Sequence, residues 1–326
     1  MAVNSAVSGA AERAMRSTLL TLSHRKSLGR LATRVPITRP MVRRFICGET
    51  LDEALPSIRR LHDLGMGTTV DVLGESVTAE ADARAAAGRY PAVFDALVAN
   101  GLDHNVSLKP TQMGLGISKE LATETIGSIM AKASEVNGFV RIDMEDHTTT
   151  DDTFAVWRAV RPAGAGDLDK ADIGIVLQAA LKRSEVDVEQ IIAERGRVRL
   201  CKGAYKEPAS VAHQEKADVD AAYERLMLRL IREGNYPGLA THDPKLIQRA
   251  VSVAKAEGIG PERFEFQMLY GVRRDLQEQL NAAGWRVRVY VPFGEQWYPY
   301  FMRRLAERPA NVAFILRSVW NDRGSK

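Results

Sequence analysis

Residues 198–242 read VRLCKGAYKEPASVAHQEKADVDAAYERLMLRLIREGNYPGLATH. The stretch opens on a short β-type run, VRLCKG (198–203). It continues through a helix-length segment rich in Ala, Leu, Glu and Arg (218–233) and closes on a second short run, GLATH (238–242). Strand, helical crossover and strand imply two parallel neighbours in one sheet, since antiparallel neighbours need only a tight turn between them. The rhythm extends in both directions. TTVDVL (68–73), NVSLKP (105–110), FVRIDM (139–144) and IGIVLQ (173–178) precede it, and FEFQML (264–269) and VRVYVP (287–292) follow. That makes eight runs whose starts lie 23 to 40 residues apart. Eight strand–helix units in about 240 residues match a (β/α)8 barrel. A doubly wound open sheet competes with it, but no G-x-G-x-x-G follows any of the runs.

Ahead of the first strand, residues 50–64 place Leu51, Leu55, Ile58 and Leu61 on one helical stripe, with Thr50 as N-cap and Glu53 completing a capping box. Residues 79–100 read as a helix as well. The first 45 residues carry nine cations (Arg13, Arg16, Arg25, Lys26, Arg30, Arg34, Arg39, Arg43 and Arg44) against Glu12 alone. They divide off as a basic arm, helical or partly disordered, from a single domain over 46–326. The arm has no interleaved aromatic residues and no nucleic-acid motif, so contact with an anionic membrane surface or plain solubility is favoured over nucleic acid. The whole chain of 326 residues is 45% hydrophobic and 26% charged with net charge +4, an ordinary soluble composition. No apolar run approaches roughly 18 residues, and no secretory pattern opens the chain. Cys47 and Cys201 stand apart and fit reduced thiols in a cytoplasmic setting.

Chemistry in such a barrel gathers at the C-terminal ends of the strands. Here those ends carry Asp71, Lys109, Asp143, Gln178, Arg199 to Lys202, Thr241, His242, Gln267 and Tyr290. Each has a bland reading: a rim lysine, a helix-capping aspartate, a turn histidine. So many polar groups at one end of successive strands exceed what packing needs, because buried polar groups cost stability unless paired. The histidines 147, 213 and 242 lack metal-ligand spacing, and no G-x-S-x-G elbow is present. In RLCKGAY (199–205), two cations and a Gly-Ala step at a strand end form a plausible cradle for a phosphate-bearing cofactor.

Near the C-terminus, YFMRRLAE (300–307) puts Tyr300, Arg303, Arg304 and Glu307 on one helical face. The pair admits two readings: a solvated basic face, or a clamp for a planar carboxylate held between two guanidiniums.

Taken together, NVSLKP, RIDMED, VLQAALKRS, RLCKGAY, LATHD, FEFQMLYG, VYVPFGE and YFMRRLAE occur in this order over residues 50–315 and resemble the proline dehydrogenase family, in its stand-alone form. The resemblance implies a distorted (β/α)8 barrel with N-terminal helices and its last helix over the active site. It implies bound FAD and oxidation of L-proline to Δ1-pyrroline-5-carboxylate, with electrons passed to a quinone. It also implies a cytoplasmic protein with peripheral contact at the inner membrane face. By the same resemblance, Arg303, Arg304 and Lys109 hold the proline carboxylate, and Glu307 steadies the arginines. Tyr290 packs on the pyrrolidine ring, and Tyr205, Leu269 and Tyr300 line the substrate pocket. Asp143, Arg199 and Tyr290 are catalytic, Arg199 lying near flavin N5. Met144, Gln178, Lys202, Gly203, Ala204, Thr241, His242 and Gln267 contact FAD. Two positions depart from the family pattern: Arg308, where Asn or Thr is commoner, and Lys206, where bifunctional relatives carry Trp. Hydroxyproline dehydrogenase, a methylenetetrahydrofolate-reductase-like flavin barrel and a non-catalytic anion-binding or DNA-binding protein using the basic arm are the alternatives.

Overall fold

The computed structural model describes residues 39–307 apart from 75, 163 and 169, with side chains from 42 to 305. Most of the basic arm, and position 308, lie outside the described residues. Two helices lead in, α1 (Arg39–Phe45) and α2 (Leu51–Asp63). Thr50 Oγ1 caps α2 by accepting from Glu53 N at 3.3 Å. The Glu53 carboxylate returns to Glu49 N at 3.2 Å instead of to Thr50, so the box closes one residue early. Eight parallel strands then close in sequence order: β1 (Gly67–Val72), β2 (Asn105–Leu108), β3 (Phe139–Ile142), β4 (Asp172–Gln178), β5 (Val198–Cys201), β6 (Gly238–Ala240), β7 (Glu265–Leu269) and β8 (Val287–Phe293). Pairing of β8 with β1 seals the barrel, with Tyr290 opposite Thr69.

Between strands run α3 (Glu80–Ala87), α4 (Tyr90–Ala99), α5 (Lys119–Glu135), α6 (Thr150–Ala159), α7 (Ser184–Ala193), α8 (Lys216–Glu233), α9 (Pro244–Ala256) and α10 (Arg274–Ala282). The segment expected as one helix over 79–100 is two. The break falls at Gly88 and Arg89, because Pro91 in the first turn of α4 has no N–H to continue the preceding helix. The final helix, α11 (Trp297–Glu307), does not lie against the barrel wall. Its Trp297, Tyr300, Phe301 and Leu305 form a buried cluster with Phe45, Ile46, Leu73 and Tyr290, so it crosses the mouth. No helix among the described residues is long and apolar enough to cross a membrane.

The strands alternate in a way that divides the molecule. Val70, Val106, Val140, Ile175, Leu200, Leu239, Phe266 and Val289 are each fully buried in the main hydrophobic cluster under the helices. Burying each such side chain stabilises the fold by roughly 1.5–3 kcal/mol. The alternate positions carry Asp71, Ser107, Arg141, Arg199, Glu265, Gln267, Arg288 and Tyr290. Side-chain hydrogen bonds join Ser107 to Arg199, Arg199 to Gln267, Gln267 to Glu265 and Glu265 to Arg288. Lys109 bridges Asp71 and Tyr290, and Arg141 donates to the Ile175 and Arg197 carbonyls. Aliphatic layers fill most such barrels; here the lumen holds a charged network. Two glycines make room for it. A Cβ at Gly174 would lie 2.3 Å from Arg141 Nη1, and one at Gly238 would lie 2.3 Å from Gln267 Nε2.

Candidate active site

Strand alternation sends Asp143, just past β3, to the centre of the mouth. Its Oδ1 accepts from Arg199 Nη1 at 2.7 Å and from Ser107 Oγ at 2.9 Å. Its Oδ2 accepts from the Tyr290 hydroxyl at 3.2 Å and faces Lys109 Nζ at 3.7 Å. Lys109 also reaches Asp71 Oδ2 at 3.4 Å and donates to the Tyr290 hydroxyl at 3.5 Å. The Arg199 guanidinium lies 5.3 Å from the centroid of the Tyr290 ring. Five strands thus deliver two cations, two carboxylates and a phenol to one point.

Burial pushes the Asp71 carboxyl above its ordinary value, although the Lys109 ammonium opposes this. Burial, and then the carboxylates of Asp143 and Asp71, drives the Tyr290 phenol well above its usual range. Tyr290 therefore stays protonated near neutral pH and remains a donor to Asp143.

Above this cluster Tyr300 of α11 stacks on Tyr290, with centroids 6.5 Å apart and planes 12° from parallel. Arg304 lies 5.0 Å over the Tyr300 ring. Arg303 and Arg304 are half-buried, side by side on the helix that crosses the mouth. The Glu307 side chain, expected to hold them, lies outside the described residues.

A second group lines the ends of β4 to β6. Gln178 Nε2 donates to the Glu145 carbonyl at 2.6 Å. Gly203 has φ +106, a left-handed conformation that only glycine adopts readily, and a Cβ there would come within 3.1 Å of Gln178 Oε1. Lys202 Nζ sits between Asp220 at 2.5 Å and Asp243 at 3.1 Å. Burial raises both carboxyls, but Lys202 and its neighbours outweigh it and hold them below their usual values. Thr241 Oγ1 accepts from Asp243 N at 3.1 Å. His242 Nε2 accepts from Leu269 N at 3.0 Å, so that nitrogen carries no proton. Ala204 follows Gly203, Met144 is buried beside Asp143, and Tyr205 stands 43% exposed on the loop after β5. Leu269 is half-buried against the α11 cluster.

The structure therefore unites Lys109, Asp143, Arg199, Tyr290 and Tyr300. It sets Gln178, Lys202, Gly203, Thr241 and His242 on an adjoining rim and leaves Tyr205 towards solvent. Gln267 is not at the rim: it is the third residue of β7, 5% exposed, with both ends of its amide engaged below the mouth. Ser107 and Glu265 carried no expectation from sequence. Period-two spacing from Lys109 and Gln267 puts each on the inward face, and that is the signal that could have found them.

A closed parallel barrel with a charged mouth under a crossing helix defines a (β/α)8 enzyme. Residues 54–317 match the family described as proline dehydrogenase. The chain is 39% identical to a proline dehydrogenase of Deinococcus radiodurans over 93% of its own length and 97% of the relative's. It is 37% identical to proline dehydrogenase 1 of Bacillus subtilis, over 94% and 99% respectively. Among solved structures, proline utilization A from Bdellovibrio bacteriovorus, inactivated by N-propargylglycine, aligns with a TM-score of 0.73 at 28% identity. That alignment covers 82% of this chain and 32% of that longer one. The chain belongs to the proline dehydrogenase family, and its barrel is an oxidoreductase scaffold for proline.

Proposed function

We propose that the protein binds FAD across the ends of β4 to β6 and oxidises L-proline at C5, yielding Δ1-pyrroline-5-carboxylate. Electrons then pass to a quinone at the inner membrane face, with the basic arm as the membrane contact. The observation that carries the reading is the cluster of Asp143, Arg199, Lys109 and Tyr290 directly beneath the arginine-bearing helix α11. It pairs anchors for a carboxylate with a buried cation beside the reacting centre.

The residues of the rim suit a flavin dinucleotide. Gln178 offers an amide to a heterocycle edge, Gly203 and Ala204 keep side chains off the backbone at the end of β5, and Thr241 and His242 add polar contacts. Met144 would pack under the ring system. Lys202 is already bound by two carboxylates, so it would approach a phosphate only by leaving one of them. FAD, when bound, supplies the hydride acceptor.

The chain's own residues supply position and charge. Arg303, Arg304 and Lys109 would hold the proline carboxylate. Tyr290, its ring braced by Tyr300 and its hydroxyl tied to Asp143, would form a wall against the pyrrolidine ring. Fixing the substrate this way contributes several kcal/mol to lowering the barrier. Arg199 would stabilise negative charge developing at the flavin edge. Asp143 keeps Arg199, Lys109 and Tyr290 in register. Loss of hydride from C5 and of a proton from the ring nitrogen balances the oxidation.

The cofactor is tested by releasing it from the purified protein. FAD in about one-to-one ratio is expected, and a protein that takes up no flavin would remove the reading. Substrate choice is tested with Tyr290→Ser. Shortening this wall should raise the KM for proline about 10-fold or more while weakening 4-hydroxyproline less, because the extra hydroxyl needs the space vacated. Equal losses on both substrates would argue against Tyr290 packing on the ring.

A further inference from the structure

Below the mouth, an unbroken polar chain runs down the barrel lumen. Arg199 Nε donates to Gln267 Oε1 at 2.5 Å, and Gln267 Nε2 donates to Glu265 Oε1 at 2.6 Å. Glu265 accepts from Arg288 Nε at 2.8 and 3.0 Å and from the Tyr236 hydroxyl at 3.2 Å. Arg288 Nη1 is fixed in turn by the Thr68 carbonyl at 2.7 Å and Asp103 Oδ2 at 3.0 Å. Arg199, Gln267 and Glu265 are each at least nine-tenths buried, so water does not substitute for any link.

We propose that Glu265, backed by Arg288, is a positioning residue that orients Arg199 through the side-chain amide of Gln267. An amide has one donating and one accepting end, whereas an ionised carboxylate only accepts. Glu265 therefore demands the NH2 end of Gln267 and leaves Oε1 for Arg199. With the amide reversed, two acceptors would face each other below and two donors above. Bare Gly238 lets the amide lie across the lumen.

The choice of an amide at 267 also matters. Arg199 already has one carboxylate partner, Asp143, at 2.7 Å. A neutral acceptor at Nε fixes its geometry without cancelling its charge a second time. That leaves positive potential for the flavin edge, a step that rests on the FAD reading above.

The test uses flavin-loaded full-length protein and the midpoint potential of its flavin. Through-space electrostatics and positioning predict opposite signs. Removing the negative charge at 265 would by itself favour the reduced, anionic flavin and raise the potential. Losing the orientation of Arg199 would lower it. For Glu265→Gln we expect a fall of about 30 mV for each tenfold loss in the two-electron equilibrium. We also expect kcat to drop about 10- to 100-fold, with the KM for proline within about threefold of the parent.

Gln267→Met changes no charge and leaves the Glu265–Arg288 pair intact, so it carries the test if Glu265→Gln does not fold. It should lower the potential in the same direction. An unchanged or raised potential in Gln267→Met, or a raised one in Glu265→Gln, overturns the proposal. A parent protein without flavin would sink the cofactor reading itself, which separates the two failures.

Discussion

Replacing Arg303 or Arg304 by Met should raise the KM for L-proline between about 30-fold and a few thousand-fold, with flavin still bound. Truncating one member of a desolvated, hydrogen-bonded charge pair costs roughly 2–5 kcal/mol. The helix that carries the arginines is held over the mouth by the stack of Tyr300 on Tyr290 and by the packing of Phe301 on Phe45, whose centroids are 6.4 Å apart. Methionine keeps an unbranched apolar side chain of similar length and removes the guanidinium, which for Arg304 includes its contact over the Tyr300 ring. If the clamp grips ground and transition states alike, kcat at saturating proline changes less than KM. Steady-state kinetics with proline decides the matter, and a parental KM in both variants would dismiss the clamp.

Asp143→Ala should be the most damaging single change at the base of the site. It removes the shared acceptor of Arg199, Ser107 and Tyr290 and the second counter-charge of Lys109. Lys109 retains Asp71, whereas among the described residues Arg199 keeps the neutral Gln267 and Ser107 oxygens as its side-chain acceptors. Leaving a buried cation uncompensated costs roughly 3–5 kcal/mol of stability. Turnover should fall about 100-fold or more, since Arg199 and Tyr290 lose their common reference point. Denaturant unfolding and kcat measured together check both halves. A variant with parental stability and parental turnover would show that the hub is not the organising element.

Much of this architecture was legible in the chain because barrel strands announce themselves locally. TTVDVL, FVRIDM and VRVYVP alternate with helical segments, and every run expected as a strand overlaps one in the structure. Boundaries were less legible. Lys109-Pro110 reads on as strand, yet β2 stops at Leu108 because Pro110 has no N–H and the Lys109 carbonyl is taken by the turn that follows. Pro91 splits the helix expected over 79–100, although the surrounding alanines carry strong helical propensity.

The site divides in the same manner. Polar strand-end residues such as Lys109, Asp143 and Tyr290 stand out against apolar neighbours. Their partnerships do not, since Asp143 meets Arg199 and Tyr290 from strands far along the chain. Only closure of the barrel brings them together. The lumen column through Glu265 and Arg288 was hidden for a further reason: in a one-dimensional reading, inward charges deep in a strand look like an edge exposed to solvent. Closure turns that face into the interior, where each charge must find a partner or neutralise.

The central claim is that this barrel joins a flavin to a proline carboxylate clamp. The most direct test is anaerobic addition of L-proline to the purified, flavin-loaded protein while its visible flavin band is recorded. The band is expected to bleach, with one Δ1-pyrroline-5-carboxylate formed per flavin reduced. A flavin band that proline leaves untouched would contradict it.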